Sequence, residues 1–374
     1  MAEESAGRTP RQADRICLIV SACLLLSCPL LQVIFATWGS QLMRYYRPLS
    51  RAYAWVMATL MSVLPFAVWD ILAVALAVAV VVVLVKRVRA HELLLPLVSR
   101  VCLVASLTYF LFANGWALNH YARPLAIDLD LVVREYSVDE LEEATRHYLL
   151  EAAAHAQDVP RDAQGGLARQ DFFELARIAG GAYEGLSHSY PLLRGPQVPV
   201  KALLLWGEPL LYSGHTGMYW APTAESGVPL NCSVADTPFI MCHEAAHRLG
   251  IASEQEANFA AYLACATNDD VRFVYSGSLC AFAYSVNALY QADSERALTM
   301  LRDAATSDVD GVSLVWADYV ANGEHYDAYE GSFQQVGSTV NDGYLRSYGE
   351  DSGVQSYGLV VDYLIAWSQS ERTR

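Results

Sequence analysis

The stretch Met241-Cys-His-Glu-Ala-Ala-His-Arg-Leu-Gly250, followed by Ser253-Glu-Gln-Glu-Ala-Asn258, decides how the rest of the chain is interpreted. Its histidines, His243 and His247, are four residues apart, and side chains at that spacing stand one above the other on a single helix face. Two imidazoles placed in this way can bind one Zn²⁺, and the intervening Glu244 can reach a water beside the ion. The stretch therefore predicts a zinc site with Glu244 as its general base.

Local signals around this stretch predict two consecutive helices. Thr237-Pro238 is typical of a helix start, with a side-chain cap and a proline at the first helical position. Gly250 is a common residue just after a helix end. Ser253 is expected to cap the next helix, and Ser253-x-x-Glu256 matches a capping box, in which the glutamate carboxylate turns back to the serine amide.

A catalytic zinc takes three protein ligands and keeps a fourth position open, so one ligand is needed besides the two histidines. Glu254 and Glu256 compete for this role. Because a capping box would hold the Glu256 carboxylate against Ser253, Glu254 at the first helical position is preferred. Asn258 lies four residues after Glu254 on the same face, where it could orient a ligating histidine by a hydrogen bond. The expected set is the two histidines and Glu254 around a single Zn²⁺.

The first third of the sequence contains three apolar runs, at about residues 16–38, 66–85 and 101–118. Each is close to the roughly 20 residues needed to cross the hydrocarbon core of a bilayer. Asp70 interrupts the second run one turn from its start, which predicts a carboxylate at the membrane interface rather than a functional charge inside the membrane. Residues 45–64 carry Arg, Tyr and Trp and predict a helix at the level of the lipid headgroups.

Charge divides the chain at the end of this segment. Residues 1–123 contain 11 Lys and Arg against 5 Asp and Glu, whereas residues 124–374 contain 14 against 35. Basic residues precede the first run and separate the second from the third, which predicts a cytoplasmic N-terminus and an extracytoplasmic 124–374 domain. The acidic domain argues against a nucleic-acid partner, because phosphate binding needs clustered positive charge. We therefore expect a three-span cell-membrane anchor, 1–123, followed by one domain.

Residues 124–374 predict a mainly helical (α+β) domain with a small antiparallel sheet. Ser137-x-x-Glu140 predicts a capping box at the start of a helix, and Val200–Trp206 and Gly217–Ala221 are expected to be short strands. Helical patterns fill most of the chain from residue 271 to 322, and a Gly- and Tyr-rich tail follows. One or two disulfides are possible in an extracytoplasmic domain, and the sequence does not pair its four cysteines, Cys232, Cys242, Cys265 and Cys280.

Several segments resemble an uncharacterised family of bacterial membrane-anchored HExxH proteins that is known as a domain of unknown function. They are Tyr219-Trp-Ala-Pro-Thr-Ala-Glu225, Pro238-Phe-x-x-Cys-His-Glu-x-x-His247, Glu254-x-Glu-Ala-Asn-Phe-x-Ala-Tyr-Leu-Ala-Cys265, Asn341-Asp-x-Tyr-Leu345 and Gly353-Val-x-Ser-Tyr357. The pattern after HExxH also resembles the glutamate-ligand zincins, in which an acidic residue usually stands where this chain has Asn258. The resemblance implies a zincin-like peptidase fold and brings no known substrate.

Together these features predict a membrane-anchored zinc metalloendopeptidase that acts on a peptide or protein. Glu244 would accept a proton from the attacking water and deliver it to the leaving amine. The carbonyl oxygen gains negative charge and needs a further hydrogen-bond donor, for which the candidates are His325, Tyr326, Tyr344 and Tyr357. The alternative is a catalytically silent zinc-binding sensor or scaffold of the cell envelope. A transporter component is less well supported, because the three spans contain a single acidic residue.

Overall fold

The computed structural model describes residues 10–348 and 360–371, which form a mainly helical protein with one small sheet. The α-helices in these residues are α1 (Pro10–Met61), α2 (Val68–Arg89), α3 (Leu95–Gly115), α4 (Leu125–Asp128), α5 (Val138–His155), α6 (Phe172–Gly181), α7 (Leu186–Ser189), α8 (Gly207–Tyr212), α9 (Thr237–Arg248), α10 (Glu254–Ala266), α11 (Val271–Ala292), α12 (Ser294–Ala305), α13 (Val312–Asp327), α14 (Ser332–Ser347) and α15 (Val360–Glu371). Two 3₁₀ helices cover Ala117–Tyr121 and Pro191–Leu193, and the strands are β1 (Lys201–Leu203), β2 (Met218–Trp220) and β3 (Glu225–Pro229).

Three helices, α1, α2 and α3, are long and apolar enough to cross a membrane, which confirms that the three apolar runs are membrane-type helices. The first run and the segment expected at the headgroups belong to one helix, α1, interrupted at Trp38 by non-helical backbone angles. α1 and α3 lie side by side and parallel. The Ser99 hydroxyl donates to Asp14 over 3.1 Å, and the Asn114 amide donates to the Cys28 sulfur over 3.4 Å.

The sheet has the strand order β1-β3-β2, with β1 parallel and β2 antiparallel to β3. The expectation of a purely antiparallel sheet is therefore wrong. The sequence did not predict β3, because all five of its residues are buried and it contains Gly227 and Pro229. A strand of that kind lacks the alternation of apolar and polar residues by which half-buried strands are recognised.

The connection between α1 and α2 is hydrogen-bonded to the outer edge of β1. The Ala67 amide donates to the Ala202 carbonyl over 3.0 Å, and the Ala202 amide donates to the Pro65 carbonyl over 3.1 Å. The buried Lys201 ammonium donates to the carbonyls of Met61 and Leu64, where α1 ends. The apolar helices and the sheet are thus joined by backbone and side-chain bonds.

Two buried carboxylates join α2 to the sheet. Asp70 accepts hydrogen bonds from the backbone amides of residues 204–206 at 2.6 to 2.9 Å. In the other direction, Glu225 of β3 accepts hydrogen bonds from the amides of Val68 and Trp69 at the start of α2. The Asp70 carboxylate is fully buried in protein, and its expected position at the level of the membrane interface stays a prediction.

The main hydrophobic core lies between α5, α9, α10, α11 and α15. The capping box at the start of α5 is confirmed, since Ser137 and Glu140 exchange backbone and side-chain hydrogen bonds. The Gly- and Tyr-rich tail contains α14 and α15, two helices that the sequence did not predict, and α15 contributes the buried Val361 and Leu364. All eight cysteines lie within the described residues and are free thiols, so the four cysteines of the domain form no disulfide.

Candidate metal centre

Helix α9 holds the HExxH residues in a rigid setting. It ends as predicted, with Gly250 at a φ of +81° that residues with side chains rarely adopt. Its start differs from the prediction, because the Thr237 hydroxyl donates to the Ser233 carbonyl instead of capping a helix amide. All residues of α9 except His243 are buried. Packing on every side therefore fixes the directions of its side chains.

The structure brings the three expected ligands, His243, His247 and Glu254, together. The Nε2 atoms of the two histidines are 3.0 Å apart. The Glu254 carboxylate lies 3.2 Å from His243 Nε2 and 3.6 Å from His247 Nε2. One ligand atom from each residue falls within 4.8 Å of the others. A tetrahedral site with bonds of about 2.1 Å separates its ligand atoms by roughly 3.4 Å, so the spacing fits an ion the size of Zn²⁺.

The hydrogen bonding of His247 also fits a metal. Its Nδ1 lies 2.8 Å from the Ile251 carbonyl, to which it can bond only as a donor. In a neutral ring this leaves the Nε2 lone pair directed at His243 Nε2 and at the Glu254 carboxylate. Two ring nitrogens that face each other beside a carboxylate can both be satisfied by one shared cation. The donor set of two imidazoles and a carboxylate is one that catalytic zinc sites use.

The structure places Glu254, and not Glu256, beside the two histidines, but not for the reason expected. Ser253 is the N-cap residue of α10, but its side chain makes no capping hydrogen bond. Glu256 accepts hydrogen bonds from the Leu125 amide at 2.6 Å and from the Tyr363 hydroxyl at 3.2 Å. The expected capping box is therefore wrong, and contacts with distant parts of the chain hold Glu256 away from His243 and His247.

Asn258 does not orient a ligating histidine as expected. Asn258 is buried and lines a cavity together with His243 and His247. Its side-chain nitrogen has no hydrogen-bond partner among the described residues. The backbone carbonyl of Ile251 orients His247 instead.

The Glu244 side chain occupies space that is free only because the residue opposite, Gly217, has no side chain. A Cβ atom added to Gly217 would be 2.3 Å from Glu244 Oε1, closer than real Cβ contacts. The Ser226 hydroxyl donates to the Glu244 backbone carbonyl over 2.7 Å. Burial raises the pKa of the Glu244 carboxyl to about 7, although the nearby His247 and His243 favour its charged form. A carboxyl that titrates near neutral pH in a cavity suits a general base.

For His247 and Glu254, the effect of opposite charges on the pKa outweighs the effect of burial. Burial lowers the pKa of His247, but the adjacent Glu254 carboxylate raises it to about 9 overall. Burial alone would raise the pKa of Glu254, yet His247 and His243 bring it well below its usual range. The carboxylate is therefore ionised at neutral pH, which is the form that binds a cation.

A cavity of about 470 Å³ opens above these residues, and the membrane-type helix α3 provides part of its wall. Phe112 and Trp116 line the cavity. The Trp116 indole donates to the His247 carbonyl over 2.9 Å, and the two rings meet edge to face with centroids 5.7 Å apart. The position of His247 thus depends on a residue at the end of an apolar helix.

The four residues expected to donate a hydrogen bond to the substrate's carbonyl oxygen lie in different parts of the structure. Tyr344 lines the cavity, and its hydroxyl is 3.0 Å from His120 Nε2. His325 bonds to the Asn231 carbonyl at 2.9 Å, and Tyr326 donates to Asp236 at 3.0 Å, so both serve packing between α13 and the chain before α9. Tyr357 lies outside the described residues.

His215 lines the cavity, and the sequence did not single it out. Its Nδ1 is 3.0 Å from the Ser213 hydroxyl, and burial lowers the pKa of its ring. The available signal was local: the histidine lies between Gly214 and Gly217, directly before the expected strand. It adds a second candidate donor beside Tyr344.

The family model of DUF3810, described as a protein of unknown function, matches residues 45–365. The match covers most of the chain, and the chain belongs to this family. It includes the second half of α1, the helices α2 and α3, and every residue of the candidate metal centre. Comparison with curated proteins and with solved structures gave no match.

Proposed function

We propose that this member of the DUF3810 family is a membrane-anchored, zinc-dependent metallopeptidase. The observation that carries the proposal is the convergence of His243, His247 and Glu254 within 4.8 Å, in a cavity that also contains Glu244. These three residues would hold one Zn²⁺. Bound there, the ion would supply Lewis acidity, which makes water a better nucleophile and a carbonyl a better electrophile.

Glu244 is the proposed general base. Its carboxylate takes a proton from the water that attacks the peptide carbonyl carbon, and it gives that proton to the amide nitrogen as the C–N bond breaks. A pKa of about 7 allows the same carboxyl to accept and to donate a proton at neutral pH. His215 or Tyr344, both on the cavity wall, donates to the oxygen that gains negative charge.

The membrane setting is part of the proposal. The three apolar helices anchor the chain, and the basic residues around them favour a cytoplasmic N-terminus with the metal centre on the opposite side. The substrate is a peptide or protein, and the acidic domain disfavours nucleic acid.

Zinc content and proteolysis of the full chain in detergent test the proposal. The full chain is needed because Phe112 and Trp116 form part of the cavity wall. Wild type should bind one Zn²⁺ and cleave peptides from an unbiased library. His243→Ala should lose the zinc, and Glu244→Gln should keep the zinc and lose the cleavage.

Three other results would count against the proposal in different ways. A wild-type chain that takes up no zinc would contradict the metal centre. Equal cleavage by wild type and Glu244→Gln would contradict the assignment of the base. Zinc binding by a wild-type chain that cleaves nothing would favour the silent sensor or scaffold.

A further inference from the structure

The relative heights of α1 and α3 show where the cavity lies with respect to the apolar helices. The two helices are parallel, and Asn114 of α3 is level with Cys28 of α1. The apolar run of α1 continues about ten residues further to Trp38, and its exposed side chains there include Leu30 and Val33. At 1.5 Å per helical residue, Asn114 lies roughly 15 Å short of the end of that run.

If the first apolar run crosses the bilayer as far as Trp38, the cavity wall reaches the depth of the leaflet nearest the domain. Phe112 and Trp116 line the cavity at this height. Tyr344 of α14, another lining residue, packs on the Phe112 ring with centroids 5.6 Å apart. At the end of α14, the Ser347 carbonyl accepts a hydrogen bond from Gln32, which lies inside the first apolar run. The C-terminal end of α14 therefore lies against α1 and α3 at this height.

Helix α14 also exposes an apolar stripe. Phe333, Val336 and Val340 are 76, 61 and 69% exposed, and their spacing places them on one helix face. The adjacent face contains Gly337, which packs closely on the backbone after α8, and Asn341, which lines the cavity. A helix with one apolar face is stable in the headgroup layer of a bilayer, with that face toward the acyl chains.

A second exposed apolar group lies where α2 begins. Leu204, Leu205 and Trp206 are exposed, and the Asp70 carboxylate binds their backbone amides. Asp70 is in the first turn of α2. These three side chains are consequently held at the height where the second apolar helix starts, which is where tryptophan is enriched in membrane proteins.

We propose that the cavity takes its substrate from the membrane, as a polypeptide tethered to the bilayer and cut close to the lipid surface. The inference rests on the proposed peptidase function and specifies its substrate class. The stripe on α14 and the 204–206 segment rest in the headgroup layer beside the cavity, whose wall continues into the leaflet along α3. A tethered chain emerging from the lipid meets this opening at a high effective concentration, whereas a dissolved peptide does not.

The membrane contact is tested without any assay of activity. The full chain is reconstituted in nanodiscs that contain a phosphatidylcholine with a diazirine on its acyl chain, illuminated, and mapped by mass spectrometry. Lipid adducts are expected on the α14 stripe and on residues 204–206, as well as on α1, α2 and α3. Leu298 of α12, an exposed apolar residue outside these groups, is the control and should remain unmodified. Adducts confined to α1, α2 and α3 would overturn the inference.

The substrate class is tested by cleavage. The zinc-loaded full chain in liposomes receives one peptide library in two forms, with and without an N-terminal palmitoyl chain. The tethered form should be cut at least about tenfold faster, and detergent should abolish the difference. The double variant Val336→Asp and Val340→Asp should lose this preference and cleave the free library normally, while Leu298→Asp retains the preference.

The outcomes separate the two proposals. Equal rates for tethered and free peptides would overturn the membrane-delivered substrate and leave the peptidase in place. Cleavage of neither library would refute the peptidase and this inference with it.

Discussion

The substitution Gly217→Ala should displace the proposed base, Glu244, without contacting any of the three proposed zinc ligands. The added methyl group would lie 2.3 Å from Glu244 Oε1, 2.6 Å from its Cγ and 2.7 Å from its Cδ. Ordinary contact between such atoms begins at roughly 3.5 Å, so the carboxylate must move by about 1 Å. The buried α9 leaves little room for the rest of the helix to follow.

A displacement of about 1 Å at a catalytic group can lower a rate about 100-fold. We expect Gly217→Ala to reduce kcat/KM on a peptide library by this factor and to retain one Zn²⁺ per chain. The metal should remain because His243, His247 and Glu254 are not among the nearest atoms to the new methyl group. Peptide cleavage by mass spectrometry and zinc by elemental analysis, on the same preparation, measure the two effects.

Gly323→Ala in α13 is the matched control, because among the described residues no atom outside its own stretch of helix lies within 4 Å of the Cβ position there. It should keep both zinc and activity and be slightly more stable, as alanine is favoured over glycine in a helix. If Gly217→Ala cleaves as fast as wild type, the assignment of Glu244 as a precisely positioned base is refuted. If it loses its zinc as well, the effect of Gly217 extends to the ligands, which the geometry does not predict.

Three further predictions concern the buried residues Trp116, Asp70 and Asp236. Trp116→Phe removes the hydrogen bond to the His247 carbonyl and should weaken zinc binding by about tenfold, measured by chelator competition; unchanged affinity would contradict a positioning role. Asp70→Ala leaves the backbone amides of residues 204–206 without their buried acceptor and should lower the unfolding free energy by about 3 kcal/mol; a thermal midpoint equal to wild type would argue against it. Burial raises the pKa of the Asp236 carboxyl from 3.8 to about 7, although a hydrogen bond from the Tyr326 hydroxyl acts to lower it. Between about pH 4 and pH 7, Asp236 holds a proton in the folded state that it has released in the unfolded state. The stability of the folded state should therefore fall as the pH rises through this range. The Tm should be lower at pH 8 than at pH 5, and Asp236→Asn should flatten this dependence.

The parts of the molecule that the sequence predicted correctly depend on local spacing. The separation of His243 and His247 fixes their shared helix face, and Gly250 fixes the end of that helix. The apolar runs are long enough to be recognised from composition alone. The reciprocal bonds of Ser137 and Glu140 lie within one turn. In each case, the residues that decide the structure are close together in sequence.

The predictions that failed depend on partners far away in the chain. Glu256 has the spacing of a capping box, but Leu125 and Tyr363 offer it hydrogen bonds that no local pattern reveals. The hydrogen bonds of Asp70 could not be predicted either, because the amides that it binds come from residues 204–206. Strand β3 is buried on both sides, so it has no alternating pattern. His215 lines the cavity because of the way its loop folds, and it belongs to no sequence motif.

The hydrogen bonds between residues 65–67 and Ala202 have a consequence for the order of biosynthesis. Phe66 pairs in parallel with Ala202, so the outer edge of β1 meets a segment made about 135 residues earlier. Parallel pairing across so long a stretch forms slowly when both partners are free. Insertion of α1 and α2 fixes one partner in place before β1 leaves the ribosome, and it also covers an edge that could otherwise pair with another chain. We therefore expect membrane insertion to precede the pairing of β1 in the domain that carries the candidate metal centre.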